Sequence, residues 1–298
     1  MNKYFEIFKR NFPYVSREDK TVNEILNNEE NIIIEKRNDR DEMIGVSIIN
    51  KNTILMLCVD KEYRNKGIGT YLLNESEKII KENNYDEIII GVGFDYLAPG
   101  IPTSKRYYDA ENEKLYSGLG EEASDFFEKR GYTHSWDCNC FDMFLQLKDF
   151  EKKDYSLNDI VDGYLYRWAT LDDLDSIIEC VNDAKDSFTD YYKNKKLYDE
   201  KNNQRVLIAL KDNEVAGTLI VGVEVEGKDL GCVGCTAVKH KFRGNHIGVN
   251  IIMIGTKYLK DIGLTNANLS YTYTGMDHMY GYSGYKICCY YMMGRKRI

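Results

Sequence analysis

Apolar and polar positions run through the same course twice along the 298 residues. In the first course, strand-like runs at 31–35 and 43–49 flank a polar stretch at 37–42. A third apolar run at 54–59 ends in a short polar turn. Residues 71–80 follow, apolar at Leu72, Leu73, Ile79 and Ile80 with charges between, which is helical spacing. A strand pattern at 87–92, a short element closed by Gly131-Tyr132 and a β-rich run at 140–147 complete it. The second course has strand pairs at 205–210 and 215–223, an apolar run at 233–238 and an amphipathic stretch at 249–259. It ends with a strand pattern at 267–273, an element closed by Gly284-Tyr285 and a run at 287–293.

The second course opens with a strand at 163–168 and a helix over 171–184, for which Thr170 and Asp173 form a capping box. The first opens with an aromatic-rich helix and lacks that strand. The order β-β-β-α-β-α-β, met twice, predicts an α/β protein of two tandem domains, each a mixed sheet flanked by helices. The expected domains are residues 1–150 and 160–298, joined by a polar linker at 148–162 that is most solvated at 151–154.

Hydrophobic residues make up 43% and charged residues 30% of the chain, a soluble globular balance. No apolar run approaches the ~20 residues of a membrane helix. Residues 1–10 are charged and lack an export signal, so a cytoplasmic location is expected. The net charge of −8 argues against nucleic acid as a partner. Residues 1–150 carry 20 basic and 28 acidic side chains, and the remainder carry 20 of each. The acidic half either steers a cationic substrate or is a solvated surface. Of eight cysteines, Cys232 and Cys235 have zinc-like spacing and Cys138 and Cys140 offer two more ligands. The gaps between the pairs match no compact zinc site, so buried free thiols and no metal are expected.

The chemistry concentrates where each third run meets its helix. Residues 54–69 read as a strand, a polar turn, Arg64-Asn65-Lys66-Gly67-Ile68-Gly69 and the helix. Residues 233–248 repeat this as far as Arg243, Gly244, His246 and Gly248. Glycine permits positive φ and close approach of a ligand to the backbone. Successive N–H groups at a helix start cradle an anion, and Arg64 and Lys66 add charge. Charge-assisted hydrogen bonds of roughly 1.5–3 kcal/mol each would hold a pyrophosphate.

In these residues the chain resembles the GCN5-related N-acetyltransferase (GNAT) superfamily in a tandem arrangement. The family's loop pattern, Arg/Gln-x-x-Gly-x-Gly/Ala, is met in full by residues 64–69. The resemblance implies that Arg64, Asn65, Lys66, Gly67, Ile68, Gly69 and Thr70 grip the pyrophosphate of acetyl-coenzyme A. It implies that the strand at Leu57, Cys58 and Val59 lines the pantetheine arm, a backbone N–H near Val59 polarising the thioester carbonyl. In the second copy His246 replaces the first glycine, where a side chain crowds a phosphate or forbids the required φ. The family also carries a Tyr four residues before a Gly-aromatic pair. Tyr280 meets this, and the resemblance implies that it protonates the departing thiolate; otherwise it is a packing residue. The first copy has Phe127 there, which cannot donate a proton.

An insertion at 94–108 contains Pro99-Gly100-Ile101-Pro102, two of the chain's three prolines. It is expected to be a rigid wall of the acceptor pocket, or a structural loop packing on the second domain. Asp60, Asp95 and Asp277 are candidate bases, and His134, His240 and His278 show no catalytic spacing. The expected function is acetyl-coenzyme A-dependent acetylation of a primary amine, on a small molecule or peptide. The alternative is a non-catalytic acyl-coenzyme A-binding module, and a third possibility makes one domain a platform for the other.

Overall fold

The computed structural model describes residues 3–13, 15, 19–91, 97–107, 122–151, 155–184, 188–223 and 229–298. These form two compact units, one of residues 1–141 with 288–298 and one of residues 142–287.

The first unit begins with helices α1 (Lys3–Asn11) and α2 (Asp19–Leu26). Strands β1 (Ile32–Arg37), β2 (Met43–Asn50) and β3 (Thr53–Val59) form an antiparallel meander. Helix α3 (Ile68–Glu82) returns the chain to β4 (Glu87–Ile90), which is parallel to β3. Then come β5 (Ile101–Thr103), α4 (Ser124–Glu128) and β6 (Thr133–His134). Helix α3 buries Leu72, Leu73 and Ile80 as its spacing predicts, while Ile79 is only partly buried and the polar Ser76 is buried as well. The buried Ser76 hydroxyl is satisfied by Ser47 Oγ (2.8 Å) and the Leu72 carbonyl (2.8 Å). One apolar cluster packs Phe5, Ile7, Phe8, Val22 and Leu26 of α1 and α2 against β2 and β3. A second gathers Leu73, Ile80, Ile88, Phe127 and Tyr132 around α3 and α4.

Strand β7 (Cys140–Gln146) leads into the second unit. There β8 (Ile160–Val161) and β9 (Tyr164–Trp168) are followed by α5 (Leu174–Ala184) and α6 (Thr189–Tyr192). A 3-10 turn at Leu171–Asp173 precedes α5, and the Thr170/Asp173 capping box is present. Strands β10 (Gln204–Lys211), β11 (Glu214–Val223) and β12 (Leu230–Val238) repeat the meander. Helix α7 (Ile247–Asp261) leads to the parallel β13 (Asn266–Tyr273) and α8 (Met276–Gly281). Strands β14 (Lys286–Met292) and β15 (Gly294–Arg297) close the chain.

The units depart from the expected halves 1–150 and 160–298. Residues 142–146 of β7 belong to the second unit, where β7 lies beside β13. Residues 288–298 belong to the first unit. There β15 pairs with both β4 and β6, and Tyr290–Met292 pairs with β5. The expected linker at 148–162 is also more ordered than its polarity suggests. It starts in a 3-10 turn, buries Phe150 and contains β8; residues 152–154 lie outside the described residues.

All eight cysteines are free thiols, with Cys58, Cys140, Cys180 and Cys289 buried. Among the described residues no cluster of His, Cys, Asp or Glu has the arrangement of a metal site, and no helix is long and apolar enough to cross a membrane.

Candidate functional site

In the first unit β3 and β4 pair only at Thr53 with Ile89 and Ile54 with Ile90. Past that point no described residue pairs with that edge of β3, which leaves a gap beside it among the described residues. The register fixes which groups occupy that edge. The Asp60 N–H donates to the Ile44 carbonyl (2.9 Å), and Cys58 stands opposite Val46. In an antiparallel ladder alternate residues face the partner strand, so Asp60, Cys58 and Met56 turn to β2. The N–H groups of Val59 and Leu57 therefore point away from β2, into the gap left by β4.

A cavity of about 580 Å³ fills this gap, lined along β3 from Ile54 to Val59. Ile90, Gly91, Ala98, Gly100, Ile101 and Pro102 form the facing wall, and Phe126, Phe127 and Arg130 of the α4 region cover it. The Pro99–Pro102 insertion is thus a buried wall of this cavity, carried on β5, and Asp95 lies outside the described residues. Close backbone approach explains the glycines here. A Cβ on Gly91 would lie 2.6 Å from Gly100 Cα, and one on Gly100 2.6 Å from Tyr291 Cβ.

At the mouth, Gly67 caps α3 with φ 81°, and Tyr71 N–H bonds the Gly67 carbonyl at 3.0 Å. The cap uses no side chain. The N–H groups of Ile68, Gly69 and Thr70 are consequently without an acceptor among the described residues, as the first turn of a helix leaves them. A Cβ on Gly67 would meet nothing within 4 Å, so the approach is open. Arg64, Asn65, Gly67, Gly69, Thr70, Leu57, Cys58 and Val59 all line the cavity. Two expected residues do not. Lys66 lies outward with Nζ 5.3 Å from the Tyr63 ring, and Ile68 turns its side chain toward Gly45 of β2.

Arg64 serves the loop itself. Its Nε donates to the Val59 carbonyl (2.8 Å) and Nη2 to Asn11 Oδ1 (3.3 Å). Arg243 repeats the first bond on the Val238 carbonyl (3.2 Å), so this arginine pins the turn in both copies. Asp60, a candidate base, is bound by Arg10 Nη2 (2.7 Å), Arg10 Nε (2.8 Å) and Asn11 Nδ2 (2.8 Å). Burial opposes its ionisation, but those bonds outweigh it and hold the carboxyl below its ordinary range. Asp277 accepts the Gly275 N–H (2.9 Å) as a turn residue. Burial pushes the Cys58 thiol up to about 12, so it is no nucleophile at neutral pH. His134 is spent on structure: Nδ1 accepts from Met293 N–H (3.1 Å) and Nε2 faces the Cys138 carbonyl (2.9 Å).

In the second unit β12 and β13 also part, after Cys232 and Asn268. There His246 adopts the left-handed conformation itself, with φ 57°, so the side chain does not forbid the turn. What differs is how close the cover lies, since a Cβ on Gly69 of the first unit would sit 3.4 Å from Phe126 Cζ. A Cβ on Gly248 would sit 2.6 Å from Met279 Sδ, which lies on the loop glycine. Tyr280, expected as the acid or as a packing residue, belongs to this unit and does not line the first unit's cavity. It is 3% exposed, and its hydroxyl shares a 2.6 Å hydrogen bond with Thr236 Oγ1. Burial raises its phenol well above the ordinary value. In the first unit Phe127 and Leu57 replace that pair, and the cavity has an apolar surface there.

Asn11, Phe12, Glu122 and Arg130 line the cavity without having been expected. Asn11 and Phe12 arrive with α1, and Arg130 just after α4. The one local signal for Arg130 is its place immediately before Gly131-Tyr132.

Residues 27–134 match the model of the acetyltransferase (GNAT) domain family. No curated protein matches the chain in sequence. Among solved structures, it is similar to a GCN5-related glucosamine N-acetyltransferase region of a fungal multi-domain GH3 β-N-acetylglucosaminidase, at 18% identity and a TM-score of 0.69. That match covers 98% of this chain, which spans 36% of the fungal one. It is similar to a tandem GNAT protein from the clavulanic acid biosynthesis pathway at 12% identity and a TM-score of 0.68, over 99% of this chain and 94% of that one. A GCN5-related N-acetyltransferase from Sphaerobacter thermophilus gives 14% identity and 0.62, over 95% and 86%.

Proposed function

We propose that this chain, a tandem two-domain protein of the GNAT superfamily, binds acetyl-coenzyme A in its first unit and passes the acetyl group to a primary amine. One observation carries the reading: Gly67 opens the first N–H groups of α3 into a cavity whose other wall is an edge of β3 with no strand partner among the described residues. A diphosphate fits that helix start, and an extended amide-bearing arm fits a strand edge with free N–H groups.

Acetyl-coenzyme A supplies the acetyl group as an activated thioester. The amides of Ile68, Gly69 and Thr70 hold its diphosphate. The Val59 and Leu57 N–H groups orient the arm and offer a donor to a carbonyl oxygen gaining charge. Ile54, Ile90, Ile101 and Phe127 exclude water from the inner end. The high pKa of Cys58 favours direct transfer to the amine over a route through this thiol. The acceptor is a small cationic amine, a class consistent with the acidic first half and with the amino sugar named for the fungal region. Calorimetry with coenzyme A tests the reading. Gly67→Glu puts a like charge in the mouth and is expected to lower affinity at least about tenfold; unchanged affinity would refute it.

The absence of a phenol at Phe127 favours a second reading, in which the unit binds acyl-coenzyme A without turnover. Steady thiol release with an amine panel of glucosamine, spermidine and lysine excludes it.

A further inference from the structure

Arg130 combines geometry and charge that the loop arginine lacks. Its Nη2 donates to Thr70 Oγ1 (2.8 Å), on the first turn of α3, and Nη1 donates to the Phe126 carbonyl (2.7 Å). The guanidinium lies over the Phe126 ring at 3.9 Å, which fixes its plane. A guanidinium has five N–H groups, so three are left over. Its bonded partners are neutral oxygens, and no carboxylate balances its charge among the described residues. Arg64 makes as many of these bonds, but its Nε and Nη2 tie the loop to α1 and its charge faces the Asp60 carboxylate, while Lys66 lies outward.

The second copy supplies an internal control. By the alignment of Arg64 with Arg243, Thr70 corresponds to Val249. By the alignment of Gly131 with Gly284, Arg130 corresponds to Ser283. Both members of the pair are lost together in the copy where Met279 lies on the loop glycine. Arg130 and Thr70 occur as a pair where the helix start is open.

We infer that Arg130, positioned by Thr70 and Phe126, is the cation that binds the ligand's phosphates, and that Arg64 is a structural pin. This rests on the proposed coenzyme A site and assigns its charge recognition to the α4 side of the cavity. A pre-oriented guanidinium loses less freedom on binding than a mobile lysine and meets phosphate oxygens in a fork.

Calorimetry on the full chain with coenzyme A, dephospho-coenzyme A and pantetheine tests it, with folding followed by circular dichroism. Arg130→Gln is expected to weaken both nucleotides about tenfold or more and leave pantetheine unchanged. Its coenzyme A affinity should also fall less steeply with salt than the wild type's. Arg130→Lys should recover part of the loss. Thr70→Val, which removes the tether and copies the second unit, should weaken the nucleotides by a smaller factor, and it carries the test if Arg130→Gln does not fold. Wild-type nucleotide binding in Arg130→Gln, or an equal loss of pantetheine, overturns the inference and leaves the site reading intact. A wild-type chain that binds neither coenzyme A nor pantetheine overturns both.

Discussion

Gly67 and His246 hold the same place in the two copies, and both have positive φ, at 81° and 57°. A left-handed residue with a side chain costs roughly 1–2 kcal/mol, and glycine returns part of that through its greater unfolded freedom. His246→Gly is therefore expected to change stability by about 1 kcal/mol or less and to confer no coenzyme A binding on the second unit. Met279 still covers Gly248, and the Arg–Thr pair is absent. Thermal melts and calorimetry on a Gly67→Glu background, where the first site is disabled, check both halves of this expectation. The strand–loop–helix residues were legible in the sequence because they are neighbours along the chain. Arg130 was not, since a basic residue at the end of a short helix reads as an exposed cap until Thr70 is seen beside it. Tyr280 is a case that spacing left open between acid and packing residue. The pattern Tyr280-x-x-x-Gly284-Tyr285 records nothing of the Thr236 hydroxyl against which its own is buried.

Helix α1 brings Asn11 and Phe12 to the cavity mouth, so its anchorage matters to the site. At its first turn Lys3 Nζ (2.5 Å) and Tyr4 OH (2.6 Å) bind Glu35 of β1, which Arg37 also holds through Nη2 (2.8 Å). Burial opposes the charge on Glu35, but these donors prevail and lower its pKa to about 2. A depressed carboxylate stabilises the fold fully above its unfolded value near 4.5 and progressively less as pH falls toward 2. Glu35→Gln should thus lower the melting temperature at neutral pH, and the gap from the wild type should close on acidification through that window. A gap that persists below it would count against the anchor. The aromatic-rich opening segment was read as a helix, but the face it covers is decided by pairings more than thirty positions away, which no local pattern records.

The duplicated architecture was visible as a repeat, and its partition was not. Strands β7 and β14 are both largely apolar. Such a pattern marks a strand and says little about which sheet receives it. The structure gives residues 142–146 to the second unit and residues 288–298 to the first. Expressed separately, 1–150 and 160–298 would each lack a sheet strand and carry an orphan apolar one. Neither is expected to give a cooperative melt, and an independently folded, coenzyme A-binding 1–150 fragment would sink that expectation. Strand β15 also has a bearing on biogenesis. It sits between β4 and β6, yet it leaves the ribosome long after both. Nascent domains usually mature in order of synthesis. Here the first unit waits with an open β4 edge until the second has been translated, so chaperone protection of that edge and stalls late in the message bear directly on yield.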